Sequence, residues 1–111
     1  MALVRAARVA EIPAGSIKEV QVAGTPVALA NVGGKLYAIN NTCLHRGGPL
    51  GQGQLEGSVV TCPWHGWQFD VTTGSCLTDP SYRIRKYDAK IEGDRVLVDL
   101  DRARSGRTIR P

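Results

Sequence analysis

The sequence predicts an all-β domain, and three observations carry that prediction. Apolar residues almost nowhere recur at the three-and-four spacing of an amphipathic helix. Short β-branched or alternating runs follow one another along the whole chain. Gly, Pro, Asn and Asp fall between those runs, where a turn needs them. At 111 residues, with 42% hydrophobic content, the chain suits one domain with a small core.

The elements follow in order. Val4 to Ile12 reads as a first strand, stopped by Pro13-Ala14-Gly15. Ser16 to Val22 alternates, with Ile17, Val20 and Val22 set among polar residues. Pro26 to Val32 and Lys35 to Asn40 flank Gly33-Gly34, a two-residue hairpin signal. Leu50 to Gly57 is glycine-rich, with a short strand expected at Gln54-Leu55-Glu56. Ser58 to Cys62 is a β-branched run, and Gln68 to Val71 is expected to be a strand. Thr72-Thr73-Gly74 turns the chain into Ser75 to Leu77, and Thr78-Asp79-Pro80-Ser81 is a loop. Arg83 to Tyr87, Ala89 to Glu92 and Arg95 to Leu100 close the domain, the last two joined by Gly93-Asp94.

Two of the segments between strands carry chemistry. Cys43-Leu44-His45 and Cys62-Pro63-Trp64-His65 each place a thiol and an imidazole two or three residues apart, and sixteen residues separate His45 from Cys62. Two such loops brought together make a site of two sulfurs and two nitrogens, a ligand set that suits zinc or an iron–sulfur centre. Structural zinc sites usually pair like with like, C-x₂₋₄-C and H-x₃₋₅-H, whereas each loop here mixes the two kinds. Both histidines of the chain are used in these loops, so none remains for a second metal centre with two His and a carboxylate.

The loops resemble the Rieske signature C-x-H…C-x-x-H. The likeness extends to His45-Arg46-Gly47-Gly48-Pro49-Leu50 and to Cys62-Pro63-Trp64-His65-Gly66-Trp67-Gln68-Phe69-Asp70, then to Thr73-Gly74 and Pro80. It covers roughly residues 3 to 100 and is similar to the Rieske-type ferredoxins of ring-hydroxylating oxygenase systems. The resemblance implies a Rieske-like antiparallel β-sandwich in which a small cluster-binding subdomain, about residues 41–81, is inserted in a β base. Residues 1–101 would form one Rieske domain, with 102–111 a basic, flexible tail. It implies one [2Fe–2S] cluster per chain, with Cys43 and Cys62 on the inner iron and His45 and His65 on the outer, exposed iron. Gly47, Gly48 and Gly66 would let backbone N–H groups approach the sulfurs. Trp64 would be a hydrophobic collar and partner surface, and Trp67 core packing. Pro80 would sit in the loop that covers the cluster. Cys76 is read as a small buried hydrophobe.

By the same resemblance, high-potential Rieske centres carry a second loop of the form C-P-C-H-G-S-x-Y. A disulfide and two hydroxyl donors there stabilise the reduced cluster. This chain has Trp64 and Gly48 at the disulfide positions, Trp67 for the Ser and Phe69 for the Tyr. A low potential is therefore expected.

Charge and composition bound the rest. The formal charge of +4 resides in Arg102, Arg104, Arg107 and Arg110 of the last ten residues, so the body is nearly neutral. Such an end is read as solvated, with attraction to an acidic partner the functional alternative. It lacks aromatics, and the body has no basic motif, so nucleic acid is not expected as a partner. No run is long and apolar enough for a membrane span, and no secretory leader is evident, so a cytoplasmic location is expected. With two of three cysteines assigned to the site, a disulfide framework is excluded. The function expected is that of a soluble electron carrier, not itself an enzyme. It would take single electrons from a flavin-dependent NAD(P)H reductase and pass them to a terminal oxygenase. The alternatives are the small subunit of an assimilatory nitrite reductase and a zinc-binding interaction module.

Overall fold

A computed structural model describes residues 3–43, 48–64 and 66–103, the last three of these by backbone alone. Nine strands account for most of it: β1 (Leu3–Arg8), β2 (Ile17–Val22), β3 (Thr25–Val32), β4 (Lys35–Asn40), β5 (Gln54–Glu56), β6 (Val59–Thr61), β7 (Gln68–Asp70), β8 (Lys86–Glu92) and β9 (Arg95–Ala103). Six form one sheet in the order β1-β9-β8-β4-β3-β2, and the other three form a small sheet, β5-β6-β7, inserted between β4 and β8. Every named pairing is antiparallel. The β3–β4 hairpin closes through Gly33 and Gly34, both at positive φ, the geometry that a two-residue turn of matching twist requires.

Strand β3 shows how one sequence serves two cores. Val27 to Asn31 are all buried, and alternate side chains leave opposite faces. Val27 and Leu29 enter a cluster with Ile12, Val22, Leu36, Ala38, Val96 and Val98, enclosed by the coiled large sheet. Ala28 and Ala30 enter the other cluster, with Ile39, Leu50, Val60, Phe69, Val71 and Ile84, under the small sheet. Both alanines are fully buried, and their short side chains let the small sheet settle close against the base. Cys43 and Cys62 belong to this second cluster, so the thiols sit where the two sheets are cemented together.

The strand boundaries differ from expectation in three places. The first strand ends at Arg8 because Val9–Glu11 forms a 3-10 turn, which still delivers Ile12 to the core fully buried. Ser75 to Leu77 is not a strand: only isolated bridges, Phe69 with Cys76 and Ser75 with Arg83, tie it to its neighbours. The two expected strands around Asp88 are one, Lys86–Glu92, because Asp88 stays in the ladder opposite Asp99 instead of turning the chain. A bulge there moves the partner of Tyr87 out to Ala103, and β9 runs past Leu100 to meet it.

The small sheet is locked to the base at one close approach. The turn Leu50–Gln52 lies on β2, and a Cβ on Gly51 would fall 2.6 Å from the backbone N of Glu19 and 2.7 Å from its Cα. Gln52 Nε2 donates to Glu19 Oε1 at 3.0 Å beside it. Backbone on both sides leaves nothing flexible to move. Gly51→Ala is expected to cost about 1–3 kcal/mol through overpacking. Urea unfolding followed by tryptophan fluorescence measures it, and an unchanged midpoint would contradict the close contact.

Candidate metal centre

The first loop leaves β4 and is closed at its base by one side chain. Asn41, 4% exposed, donates its backbone N–H to the Pro26 carbonyl at 3.0 Å and accepts at its own carbonyl from the Leu50 N–H at 2.8 Å. Its Oδ1 accepts from the Gly51 N–H at 2.6 Å. Above this clamp Thr42 pairs with Pro49, and the Cys43 N–H donates to the Gly48 carbonyl at 2.9 Å. The two arms of the loop are thereby zipped up to the first thiol. Sequence reasoning passed over Asn41. Its only signal was an Asn-Asn pair at the end of a strand, where side-chain amides commonly bond nearby backbone.

The second loop leaves β6 and returns to β7. The Cys62 N–H donates to the Trp67 carbonyl at 2.7 Å, so five residues turn back on themselves. Gly66 takes φ +74°, a left-handed conformation that side-chain-bearing residues rarely adopt. The Trp64 N–H points at Cys62 Sγ, 3.4 Å away.

The loops meet through their sulfurs. Cys43 and Cys62 are 2% and 3% exposed, neither is in a disulfide, and both sit in one buried cluster. A Cβ on Gly48 would lie 2.7 Å from Cys62 Sγ and 3.0 Å from Trp64 Cγ, so only glycine lets the first loop pass over the second thiol. Burial pushes the Cys62 thiol up, the Trp64 N–H opposes this, and the neighbouring Cys43 raises it further. Two thiolates side by side in such a place need a cation between them to be stable. His45 and His65 lie outside the described residues, as does Gly47. Among the described residues no group of three or more His, Cys, Asp or Glu gathers, so the structure brings together the sulfur half of the expected ligand set.

A third loop runs beside the second. The Gln68 N–H donates to Thr78 Oγ1 at 2.9 Å and the Leu77 N–H to the Gln68 carbonyl at 2.8 Å. The rings of Trp67 and Tyr82 meet with centroids 5.6 Å apart. Asp79 holds the turn around Pro80 by accepting from the Ser81 hydroxyl and N–H, which keep its carboxyl below the usual range. Trp67 packs on the core under the small sheet, while Trp64 is half exposed. Cys76 is buried against the same core, and its sulfur accepts from the Asp79 N–H at 3.4 Å.

The clamp at Asn41 makes a test. Asn41→Ala strands the Gly51 N–H in a buried site and is expected to cost about 1–3 kcal/mol. Asn41→Asp keeps the acceptor and should cost less. Equal losses in the two variants, by urea titration, would show that the side-chain oxygen does not close the loop.

Comparison with known proteins places the site in a family. A profile for the Rieske [2Fe-2S] domain matches residues 2–88. The ferredoxin component of a naphthalene 1,2-dioxygenase system from Pseudomonas aeruginosa is 44% identical over 91 residues, which are 81% of this chain and 88% of that protein. The ferredoxin of carbazole 1,9a-dioxygenase from Nocardioides aromaticivorans IC177 superposes with a TM-score of 0.81 at 31% identity, covering 88% of this chain and 97% of that one. A ferredoxin solved in complex with the reduced oxygenase of carbazole 1,9a-dioxygenase superposes with a TM-score of 0.79 at 30% identity, over 86% and 91% of the two chains. The described half of the site fits the cofactor this implies: two thiols in one buried cluster, a glycine passing over one sulfur and a backbone N–H aimed at it. The chain belongs to the Rieske [2Fe-2S] domain family, and its cofactor is a [2Fe–2S] cluster.

Proposed function

We propose that this chain is the ferredoxin component of a ring-hydroxylating oxygenase system. The observation that carries the reading is the pair of facing thiols, Cys43 and Cys62, on loops whose next ligand-type residues are His45 and His65. When bound, the cluster takes up and gives back one electron at a time. Cys43 and Cys62, in the core between the sheets, would hold one iron, and His45 and His65 would hold the other. The imidazoles form the electron port, since each has a second ring nitrogen to turn toward a partner. Trp64, half exposed two residues from Cys62, walls the port against water and meets the partner with an apolar surface. The chain carries electrons without transforming a substrate.

The partners that fit are a flavin-dependent NAD(P)H reductase as donor and a terminal oxygenase as acceptor. A solved relative in complex with its oxygenase supports the second. A donor that draws on NAD(P)H suits a cytoplasmic system, and among the described residues no helix is long and apolar enough to cross a membrane. The domain is taken as residues 1–101, with about 41–81 the cluster-binding unit and 102–111 a basic tail whose first two residues continue β9. The tail from 104 onward lies outside the described residues. A low potential belongs to the same reading: Phe69 is fully buried in one cluster with both thiols and brings no hydroxyl to them.

Metal analysis tests the assignment. Purified protein is expected to be red-brown, with about two irons and two acid-labile sulfides per chain. His45→Ala and His65→Ala should each abolish the colour, because each iron needs four ligands. Cys76→Ser should retain it, since that sulfur accepts from the Asp79 N–H and is not one of the four ligands. Colourless protein holding one zinc would overturn the proposal.

A further inference from the structure

The second ligand loop is held differently on its two arms. The incoming arm enters through Cys62, which is 3% exposed and packed in the core under the small sheet. On the returning arm Trp67 rests against that core, but Gln68 after it is exposed. The turn between them is not braced by packing. Among the described residues, and apart from its chain neighbours, no heavy atom lies within 4 Å of where a Cβ on Gly66 would sit. The arms therefore decide where the loop stands, and the returning arm is the one that the core grips less.

Gln68 is tied from two sides instead. Its Nε2 donates to Thr61 Oγ1 at 3.2 Å, across the β6–β7 pairing. Its backbone faces the third loop: the N–H donates to Thr78 Oγ1 at 2.9 Å, and the carbonyl accepts from the Leu77 N–H at 2.8 Å. One residue earlier, the Trp67 carbonyl accepts from the Cys62 N–H at 2.7 Å and closes the loop. The Thr78 hydroxyl thus grips the arm just outside that closure, at the third residue after His65.

A hydroxyl can serve as a fixed post when its own loop is rigid. The Cys76 N–H donates to the Tyr82 carbonyl at 3.1 Å, which closes residues 76–82 at their base. Within that span the Tyr82 N–H donates to the Asp79 carbonyl at 3.0 Å, and the Asp79 N–H donates to Cys76 Sγ at 3.4 Å. The Asp79 carboxylate accepts from the N–H and the hydroxyl of Ser81. Thr78 sits next to this hub. Its bond to Gln68 is exposed, so water could satisfy the same N–H at little cost. What the hydroxyl adds is position.

We propose that Thr78 is a positioning residue for the [2Fe–2S] cluster: its hydroxyl oxygen pins the returning arm of the second ligand loop and so fixes where Cys62 and His65 present their ligand atoms. The proposal rests on the reading of those two residues as ligands. Groups that orient metal ligands without touching the metal change metal affinity by about 10- to 100-fold when removed. A freed arm would let the imidazole of His65 take several orientations and would open the loop to competing ligands.

The test uses the full chain loaded with its cluster. Thr78→Val keeps the side chain's shape and removes the acceptor, while Thr78→Ser keeps the acceptor and removes the methyl. Thr73→Val is the control, because Thr73 Oγ1 accepts from the Ser75 N–H at 3.2 Å in an equally exposed bond of the same small unit. Bleaching of the visible absorbance in excess chelator and the EPR lines of the chemically reduced cluster are followed for each. Thr78→Val is expected to bleach about tenfold faster than the unaltered chain, with broadened EPR lines. Thr78→Ser and Thr73→Val should match the unaltered chain in both. Unchanged bleaching in Thr78→Val would overturn the proposal. So would Thr78→Ser bleaching as fast as Thr78→Val, which would assign the effect to the methyl, or Thr73→Val doing so, which would mean general loosening of the small unit. In each of these outcomes the unaltered chain keeps its iron and sulfide, so failure here is separable from failure of the ligand assignment.

Discussion

Two thiols held side by side out of water are the constraint on which the rest of this structure depends. Burial and the neighbouring Cys43 both disfavour the ionised form of Cys62, yet the ligand is the thiolate. The protein cannot relieve this with a disulfide and keep its function. A metal cluster removes the conflict by placing positive charge between the sulfurs. The fold's task is then to hold the two loops rigidly enough that the sulfurs wait in place.

Rigidity comes from below. The loops are anchored in one hydrophobic cluster that also joins the small sheet to the large one. Asn41 closes the first loop with three backbone hydrogen bonds, and Gly48 brings it over the second. Loosening any of these would let the thiols part and the cluster's geometry relax. Backbone pre-organisation of this kind also keeps small the rearrangement that follows a change of charge, which suits a group that is repeatedly loaded and unloaded.

Much of this was legible in the sequence because the chemistry is local. The Gly33-Gly34 turn and the β-branched runs act within a few residues, and the β3–β4 hairpin and β6 stand where expected, while of the Cys-x-His and Cys-x-x-His pairs the described residues include the two cysteines. What was hidden depends on pairing across the fold. Asp88 reads as a turn residue, yet it sits in a strand because β9 bulges to meet it. Ser75 to Leu77 has the composition of a strand but lacks a partner long enough to form a ladder. Asn41 acquires its role only when Gly51 is brought back beside it. Likewise the Thr78 hydroxyl gains its partner only when the third loop lies beside Gln68.

The environment of the sulfurs carries the account's central claim, since it sets the direction in which electrons flow. Among the described residues the backbone N–H of Trp64 donates to Cys62 Sγ, and the fully buried aromatic residue that shares a cluster with both thiols is Phe69, which has no hydroxyl. On the proposed reading, a buried Phe69 that brings no hydroxyl to the sulfurs would leave the added negative charge less stabilised and favour giving the electron up. A potentiometric titration of the purified, cluster-loaded protein measures this directly. The account predicts a midpoint near the low end of the Rieske range, on the order of −150 mV, and a midpoint well above zero would contradict it.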